Sequence, residues 1–334
     1  MTQATGALRV AVAGVGHLGS AHAKVYSAMD DVELVAVADV DAEAAARVTA
    51  ETGAKACASL DDIPDVDAVS VVVPTVAHRE VAEHFLSRGA SVLVEKPMAP
   101  DSAEAEALLE AASRAPGILQ VGHIERFNSA VRAARPHVSR PRFIECRRVA
   151  PFSFRSKDIG VVFDLMIHDL DIIQWLVGEP LVRVDAVGTP VLLRHEDVAN
   201  ARLVFEGGCV ADLTASRVAA KAERALRIFQ ESSYLSIDTM APRARLFRAS
   251  EKFARGEVDV SRIAPSDLGD PREFLFKELI SLQELELSPE RPLQAELRAF
   301  ADTVRSGGAP EVTGEEGLAA VRLAERVIEG IAAV

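Results

Sequence analysis

Lys96 stands between Glu95 and Pro97 at the end of an apolar run, and Asp164 is followed four residues later by His168. A lysine desolvated beside a cationic ring loses proton affinity, and an imidazole titrates near neutrality. Either group can therefore take a hydroxyl proton while a hydride leaves the same carbon. At i and i+4, Asp164 and His168 share one helix face, so the carboxylate either orients the ring or holds a substrate. Such chemistry needs a hydride acceptor, and the chain carries the motif for one in Gly14-Val15-Gly16-His17-Leu18-Gly19. The first glycine permits a tight turn, the second lets backbone N–H groups approach a pyrophosphate, and the third allows close helix–strand packing. Asp39 lies 20 residues past Gly19 at the end of the next apolar run. A carboxylate there accepts from ribose hydroxyls and repels a 2′-phosphate, and Val40 and Asp41 offer no arginine, so NAD is expected over NADP. The alternative for Asp39 is to cap the helix that follows.

These groups need a scaffold, and the hydrophobic pattern supplies one. Apolar runs at 8–13, 32–38, 68–73, 91–94 and 118–121 alternate with helical periodicity from Ala21, at 42–50, at 79–88 and from Asp101. Strands apolar along their whole length, separated by helices, predict a doubly wound parallel sheet, so residues 1–122 are expected to form a dinucleotide-binding domain. Residues 123–334 read differently. Strands are predicted at 142–149, 182–187, 199–205, 209–215, 225–230 and 234–238, with Gly207-Gly208 as a hairpin signal. Helices are predicted at 162–176, 274–285, 293–306 and 315–334, and 250–270 reads as a surface loop. The fold class is thus α/β: a Rossmann sheet followed by a second α/β domain on an open, mostly antiparallel sheet.

Composition narrows the functional classes. A net charge of −13 argues against a nucleic-acid partner, and no apolar run is long enough to span a membrane. The start lacks a signal peptide, which together with three isolated cysteines predicts a cytoplasmic protein. The eight histidines show no metal-ligand spacing, so no metal is expected. One stretch breaks the acidic pattern: residues 126–157 hold nine Arg and Lys against the single acid Glu145. An anionic small ligand is one use for it.

The glycine motif, the stretch from Val73, Pro74 and Thr75 to His78, the Glu95-Lys96-Pro97 turn and the Asp164/His168 pair, in this order and spacing, resemble the Gfo/Idh/MocA oxidoreductases. The likeness runs nearly the full length of the chain. It implies a Rossmann domain, a C-terminal domain used for substrate binding and oligomerisation, and a lysine and histidine at the reacting carbinol, here Lys96 and His168. The cofactor-binding set is then Gly14, Gly16, His17, Leu18, Gly19, Asp39, Val73, Pro74, Thr75, His78, Glu95 and Lys96. The polar stretch with Glu125, Arg126 and Asn128 and the phrase around Asp164 and His168 are similar to the nucleotide-sugar 3-dehydrogenases of that family. Those oxidise C3 of UDP-N-acetylglucosamine. The implied substrate contacts are Lys96, Glu125, Arg126, Asn128, Arg155, Lys157, Asp164 and His168, with Arg155 and Lys157 on the diphosphate. A polyol or inositol dehydrogenase, or a dinucleotide-sensing regulator without turnover, are the alternatives, and the general base is Lys96 or His168.

Overall fold

The computed structural model describes residues 6–153, 159–263 and 269–333, so Arg155 and Lys157 lie outside the described residues. The chain forms two compact units, Met1–Phe127 with Glu290–Arg326, and Asn128–Pro289 with Val327–Val334.

In the first unit the strands are β1 (Leu8–Ala13), β2 (Val32–Ala38), β3 (Lys55–Cys57), β4 (Ala68–Val71), β5 (Ser91–Glu95) and β6 (Leu119–Gly122). They form one parallel sheet in the order β3-β2-β1-β4-β5-β6. Helices α1 (His17–Ser27), α2 (Ala42–Thr52), α3 (His78–Ser87) and α4 (Ser102–Arg114) connect them. Alternate strand residues feed two cores. Val69, Val71, Val92 and Val94 pack with Phe85, Leu86 and Leu108 on the face of α3 and α4. Val10, Val12, Val37 and Leu93 pack on the other face with Ala23, Tyr26 and Val48 of α1 and α2. The short edge strand β3 has no counterpart among the expected strands, because Lys55-Ala56-Cys57 is too short to show a pattern.

The second unit holds α5 (Ser129–Ala134), β7 (Phe143–Val149), α6 (Ile167–Val177), β8 (Leu181–Thr189), β9 (Val198–Phe205), β10 (Val210–Ser216), β11 (Glu223–Gln230), β12 (Ser233–Asp238), β13 (Arg243–Ala249), the short helices α7 (Glu251–Ala254) and α8 (Pro271–Phe274), and β14 (Ile280–Glu284). Its eight strands run β14-β13-β12-β11-β7-β10-β9-β8, antiparallel except where β7 meets β10. Period-2 alternation sends Ile144, Cys146, Leu213, Leu226, Ile228 and Leu235 inward. The opposite face carries a cross-strand row of Phe143, Phe229, Tyr234 and Phe247, with successive ring centroids 5.8, 5.2 and 4.3 Å apart.

Three expectations need correction. The helix expected at 274–285 gives way to a π turn at Leu275–Leu279 and then to β14, which pairs antiparallel with β13. β13 itself was not expected, since its alternation of Arg243, Arg245 and Phe247 with Ala244 and Leu246 is crowded with charge. Third, residues 290–326 return to the first unit, so 123–334 is not one compact body. There α9 (Pro292–Ser306) buries Leu297, Phe300 and Ala301 in the core beneath β1 and β5, and α10 (Gly314–Ala332) sets Leu318 in the other core. Burying these apolar faces outweighs sequence order in deciding which unit the helices join.

Candidate active site

The first half of the site is the turn from β1 to α1. Gly14 has φ +85°, and a Cβ there would lie 2.5 Å from the Val72 carbonyl oxygen, while one at Gly19 would fall on the Gly14 carbonyl oxygen. Glycine is therefore required at both positions by space and, at Gly14, by conformation. Gly16 differs: nothing lies within 4 Å of a Cβ built there, and the residue is exposed with His17 and Leu18. Gly16 begins α1 without a side-chain cap, leaving first-turn N–H groups for an anion. A groove of about 450 Å³ runs past Gly16, His17, Ser20, Asp39, Asp41 and Arg47.

Asp39 braces this turn. Its Oδ2 accepts from the Val15 N–H at 2.6 Å and its Oδ1 from the Asp41 N–H at 2.9 Å. The cap of α2 is Asp41, which accepts from the Glu43 and Ala44 N–H groups, so helix capping does not explain Asp39. Arg47 of α2 is a groove residue that sequence reading passed over; it lies eight residues past Asp39 and shows its position only once α2 is folded.

The second half of this unit's site is the Glu95-Lys96-Pro97 turn. Glu95 is buried, with Oε1 3.1 Å from His22 Nε2 of α1 and Oε2 accepting the Lys96 N–H at 3.1 Å. Burial alone would raise this carboxyl. The His22 hydrogen bond and charge, the Lys96 N–H and the Lys96 ammonium outweigh it and hold Glu95 below its ordinary value. His78 is 1% exposed, with Nε2 2.9 Å from the Val73 carbonyl and Nδ1 3.0 Å from the Pro97 carbonyl. A neutral ring donates to one of these at a time, and in either tautomer it ties the end of the β4 loop to the lysine turn. Burial pushes this imidazole below its usual value, against the raising effect of the two carbonyls. Pro74 is exposed, while Thr75 and Lys96 are half-buried.

Beyond β6, Glu125, Arg126 and Asn128 are all buried. Arg126, 4% exposed, donates to Glu316 at 2.6 Å. The Asn128 amide donates to the Thr239 carbonyl, and its oxygen caps α5 at the Ala130 N–H. Other members of the basic stretch are held by partners within the second unit: Arg135 stacks on Trp175, Arg147 pairs with Glu223, and buried Arg148 grips Asp169 with contacts of 2.7–3.0 Å.

Asp164 and His168 belong to the second unit. The expected helix begins as a π turn, Val162–Met166, in which the Ile167 N–H bonds back to the Val162 carbonyl, and continues as α6. Asp164 therefore sits in the widened turn and His168 in the first α turn, both half-buried. Such π turns recur at functional sites. A clamp legible in no local motif fixes where this helix starts. Glu196 accepts the Val161 N–H on its carbonyl at 2.9 Å and the Val162 N–H on its carboxylate at 3.1 Å. Buried Arg217 donates to the Ile159 carbonyl at 2.7 Å and to the Glu196 carbonyl at 3.3 Å, and is itself held by Asp197 at 2.7 Å. Asp197 also accepts from the N–H groups of Val191, Leu192 and Leu193. Burial would raise its carboxyl, but these three donors and Arg217 drive it far below the usual range. Among the described residues no cluster of His, Cys, Asp and Glu could hold a metal ion.

A parallel sheet in 3-2-1-4-5-6 order, a glycine turn at its switch point and a carboxylate closing β2 define a dinucleotide-binding protein. The comparisons carry the identification further. Residues 8–123 match the model of the oxidoreductase family with an NAD-binding Rossmann fold, and residues 120–235 match the GFO/IDH/MocA C-terminal domain. The chain is 43% identical over 233 residues to the UDP-N-acetylglucosamine 3-dehydrogenase of Acidithiobacillus ferrooxidans, covering 69% of this chain and 74% of that protein. A solved structure of UDP-N-acetylglucosamine 3-dehydrogenase from the same organism superposes with a TM-score of 0.86 at 34% identity over 98% of both chains. The myo-inositol 2-dehydrogenase of Thermotoga maritima is 27% identical over 95% of this chain and 94% of its own. The chain belongs to the Gfo/Idh/MocA oxidoreductase family and is an NAD-dependent dehydrogenase.

Proposed function

We propose that this dehydrogenase oxidises the C3 hydroxyl of UDP-N-acetylglucosamine, or of a closely related UDP-sugar, to the 3-keto sugar. The observation that carries this reading is the likeness to the A. ferrooxidans enzyme, in sequence at 43% identity and in fold over 98% of both chains. The bound nicotinamide supplies the hydride acceptor. In this proposal Gly16, His17 and Leu18 hold its phosphates with backbone N–H groups, and Asp39 holds the adenosine ribose. Val73, Pro74, Thr75 and His78 shape the cofactor floor, with His78 acting through the Val73 and Pro97 carbonyls. Lys96 binds the reacting oxygen, His168 accepts the hydroxyl proton, and Asp164 orients the imidazole or the sugar. The C3–H electron pair leaves with its hydrogen as hydride, so the carbinol becomes a carbonyl and the proton stays on the protein.

For the sugar nucleotide, Glu125 and Asn128 border the sugar, Arg126 fixes their stretch through Glu316, and Arg155 and Lys157 take the diphosphate as bidentate or point-charge donors. The structural partners of Arg126, Arg135, Arg147 and Arg148 mean that four of the nine basic residues of 126–157 are engaged within the fold, which is the observation favouring the second reading, an inositol or other unphosphorylated polyol. We further propose a homo-oligomer, dimer or tetramer, and a cytoplasmic location consistent with the buried thiols Cys57, Cys146 and Cys209. Among the described residues no helix is long and apolar enough to cross a membrane. The test of the reaction is isotopic: UDP-N-acetylglucosamine deuterated at C3 should deliver its deuterium to NADH. Deuterium retained in the sugar, with NADH formed, would move the oxidation to another carbon.

A further inference from the structure

The helix that carries Asp164 and His168 starts without a cap of its own. Val161 and Val162 are 0% exposed, and no side chain of the turn itself caps it. Water does not reach buried first-turn N–H groups, so each needs an acceptor from the protein. Both find one in Glu196: its carbonyl takes the Val161 N–H at 2.9 Å and its carboxylate the Val162 N–H at 3.1 Å. The carboxylate has room only because residue 160 is glycine, since a Cβ on Gly160 would overlap it. The Gly160 carbonyl in turn accepts the Asp164 N–H at 3.0 Å. Glu196 is itself fixed. The neighbouring Asp197 carboxylate gathers the N–H groups of Val191, Leu192 and Leu193, and Arg217 joins Asp197 to the Glu196 and Ile159 carbonyls. The loop so held buries little, with Val191 57% and Leu192 59% exposed, so its fixing does not serve the core.

We infer that Glu196 and Gly160 are positioning residues: together they hold the π register at the start of this helix, and with it the placement of Asp164 relative to His168. This rests on the role proposed for His168 above. A π turn is rare in a helix left to itself. Here the Ile167 N–H reaches back five residues to the Val162 carbonyl, whereas the α register would take the Phe163 carbonyl. That change turns everything before it by about 100° around the helix axis, the angle one residue subtends. Asp164 lies on the part that turns and His168 on the part that does not. By keeping the Val161 and Val162 N–H groups on fixed acceptors, Glu196 blocks the change, and loss of its carboxylate alters the geometry of the pair while both side chains remain.

The test is a double-mutant cycle on the full-length protein, read in kcat with saturating NAD and UDP-N-acetylglucosamine. Glu196→Ala should lower kcat by about tenfold or more, the scale on which a small misplacement of reacting groups slows an enzyme, while KM for NAD stays within about threefold of wild type. Glu196→Gln, whose amide oxygen can still accept the Val162 N–H, should recover most of the loss. Gly160→Ala should match Glu196→Ala, and the two combined should fall no further, because each breaks the same contact. In a His168→Ala background Glu196→Ala should change kcat by less than about twofold, a non-additivity that general loss of stability does not produce. If Glu196→Ala does not fold, Gly160→Ala takes its place in the cycle. Equal falls with and without His168, a Glu196→Gln enzyme no better than Glu196→Ala, or wild-type kcat in Glu196→Ala overturns the inference. If the wild type oxidises myo-inositol and not the sugar nucleotide, the substrate reading fails and the same cycle is read with myo-inositol. Hydrogen exchange over residues 159–168 reads the clamp with no substrate at all: Glu196→Ala should speed it by about tenfold or more and Glu196→Gln should not, and unchanged exchange in Glu196→Ala overturns the inference whatever the substrate.

Discussion

At the scale of single residues, the proposed chemistry rests on Lys96 and His168 and the proposed cofactor choice on Asp39. Lys96→Ala and His168→Ala should each lower kcat by roughly 10²-fold or more while NADH binding persists, because each removes a proton-handling or oxygen-binding group and no part of the glycine turn. Wild-type turnover in both variants would remove these roles. Asp39→Ser should shift the NAD/NADP preference toward NADP by roughly tenfold or more, since it removes a carboxylate that repels the 2′-phosphate from a groove Arg47 also lines. An unaltered ratio of kcat/KM values would place cofactor choice elsewhere. Gly14, Gly16, Gly19 and Asp39 were legible because their chemistry is local in sequence and tied to one strand–turn–helix pattern. The burial of His22 and His78 was not: His22 meets Glu95 across 73 residues and His78 meets Pro97 across 19, and no periodicity encodes such pairs.

At the scale of elements, the helix bearing Asp164 and His168 was visible as an apolar period, but its π turn and its clamp were not, since Glu196 and Asp197, just before β9, and Arg217, just after β10, reach it from distant parts of the chain. Strands β13 and β14 were hidden for a related reason: β14 is the edge of the sheet and β13 lies next to it, and the charges of Arg243, Arg245, Arg248 and Glu284 blur the alternation that marks central strands. The clamp predicts a pH signature. Asp197 has a carboxyl lowered by folding, so its contribution is complete above the unfolded value of about 4 and is lost as pH falls toward the folded value. Below about pH 4 the wild-type melting temperature should therefore drop more steeply with falling pH than that of Asp197→Asn. Parallel curves would show that the carboxylate adds nothing specific. At neutral pH Arg217→Ala should destabilise by about 3–5 kcal/mol, the usual consequence of leaving a buried charge without its partner.

At the scale of the whole molecule, the Rossmann sheet and the largely antiparallel second sheet followed from the switch between fully apolar and alternating strands. The return of 290–326 to the first unit did not, because a helix's amphipathic face does not say which core it joins. The aromatic row on the second sheet gives the proposed oligomer a surface: Phe229 is 36% exposed, and Leu282, next in register beyond Phe247, is 47% exposed. Phe229→Glu combined with Phe247→Glu should dissociate the wild-type oligomer in sedimentation, whereas an unchanged assembly would assign association to another face. The measurement bearing most directly on the central claim is kcat/KM with saturating NAD for UDP-N-acetylglucosamine, free N-acetylglucosamine and myo-inositol, followed through NADH absorbance. The sugar nucleotide should exceed both others by roughly 10²-fold or more, the scale reached when a site's polar groups are left unpaired by the wrong substrate. Equal or greater turnover of myo-inositol, or no NADH from the sugar nucleotide, would contradict it.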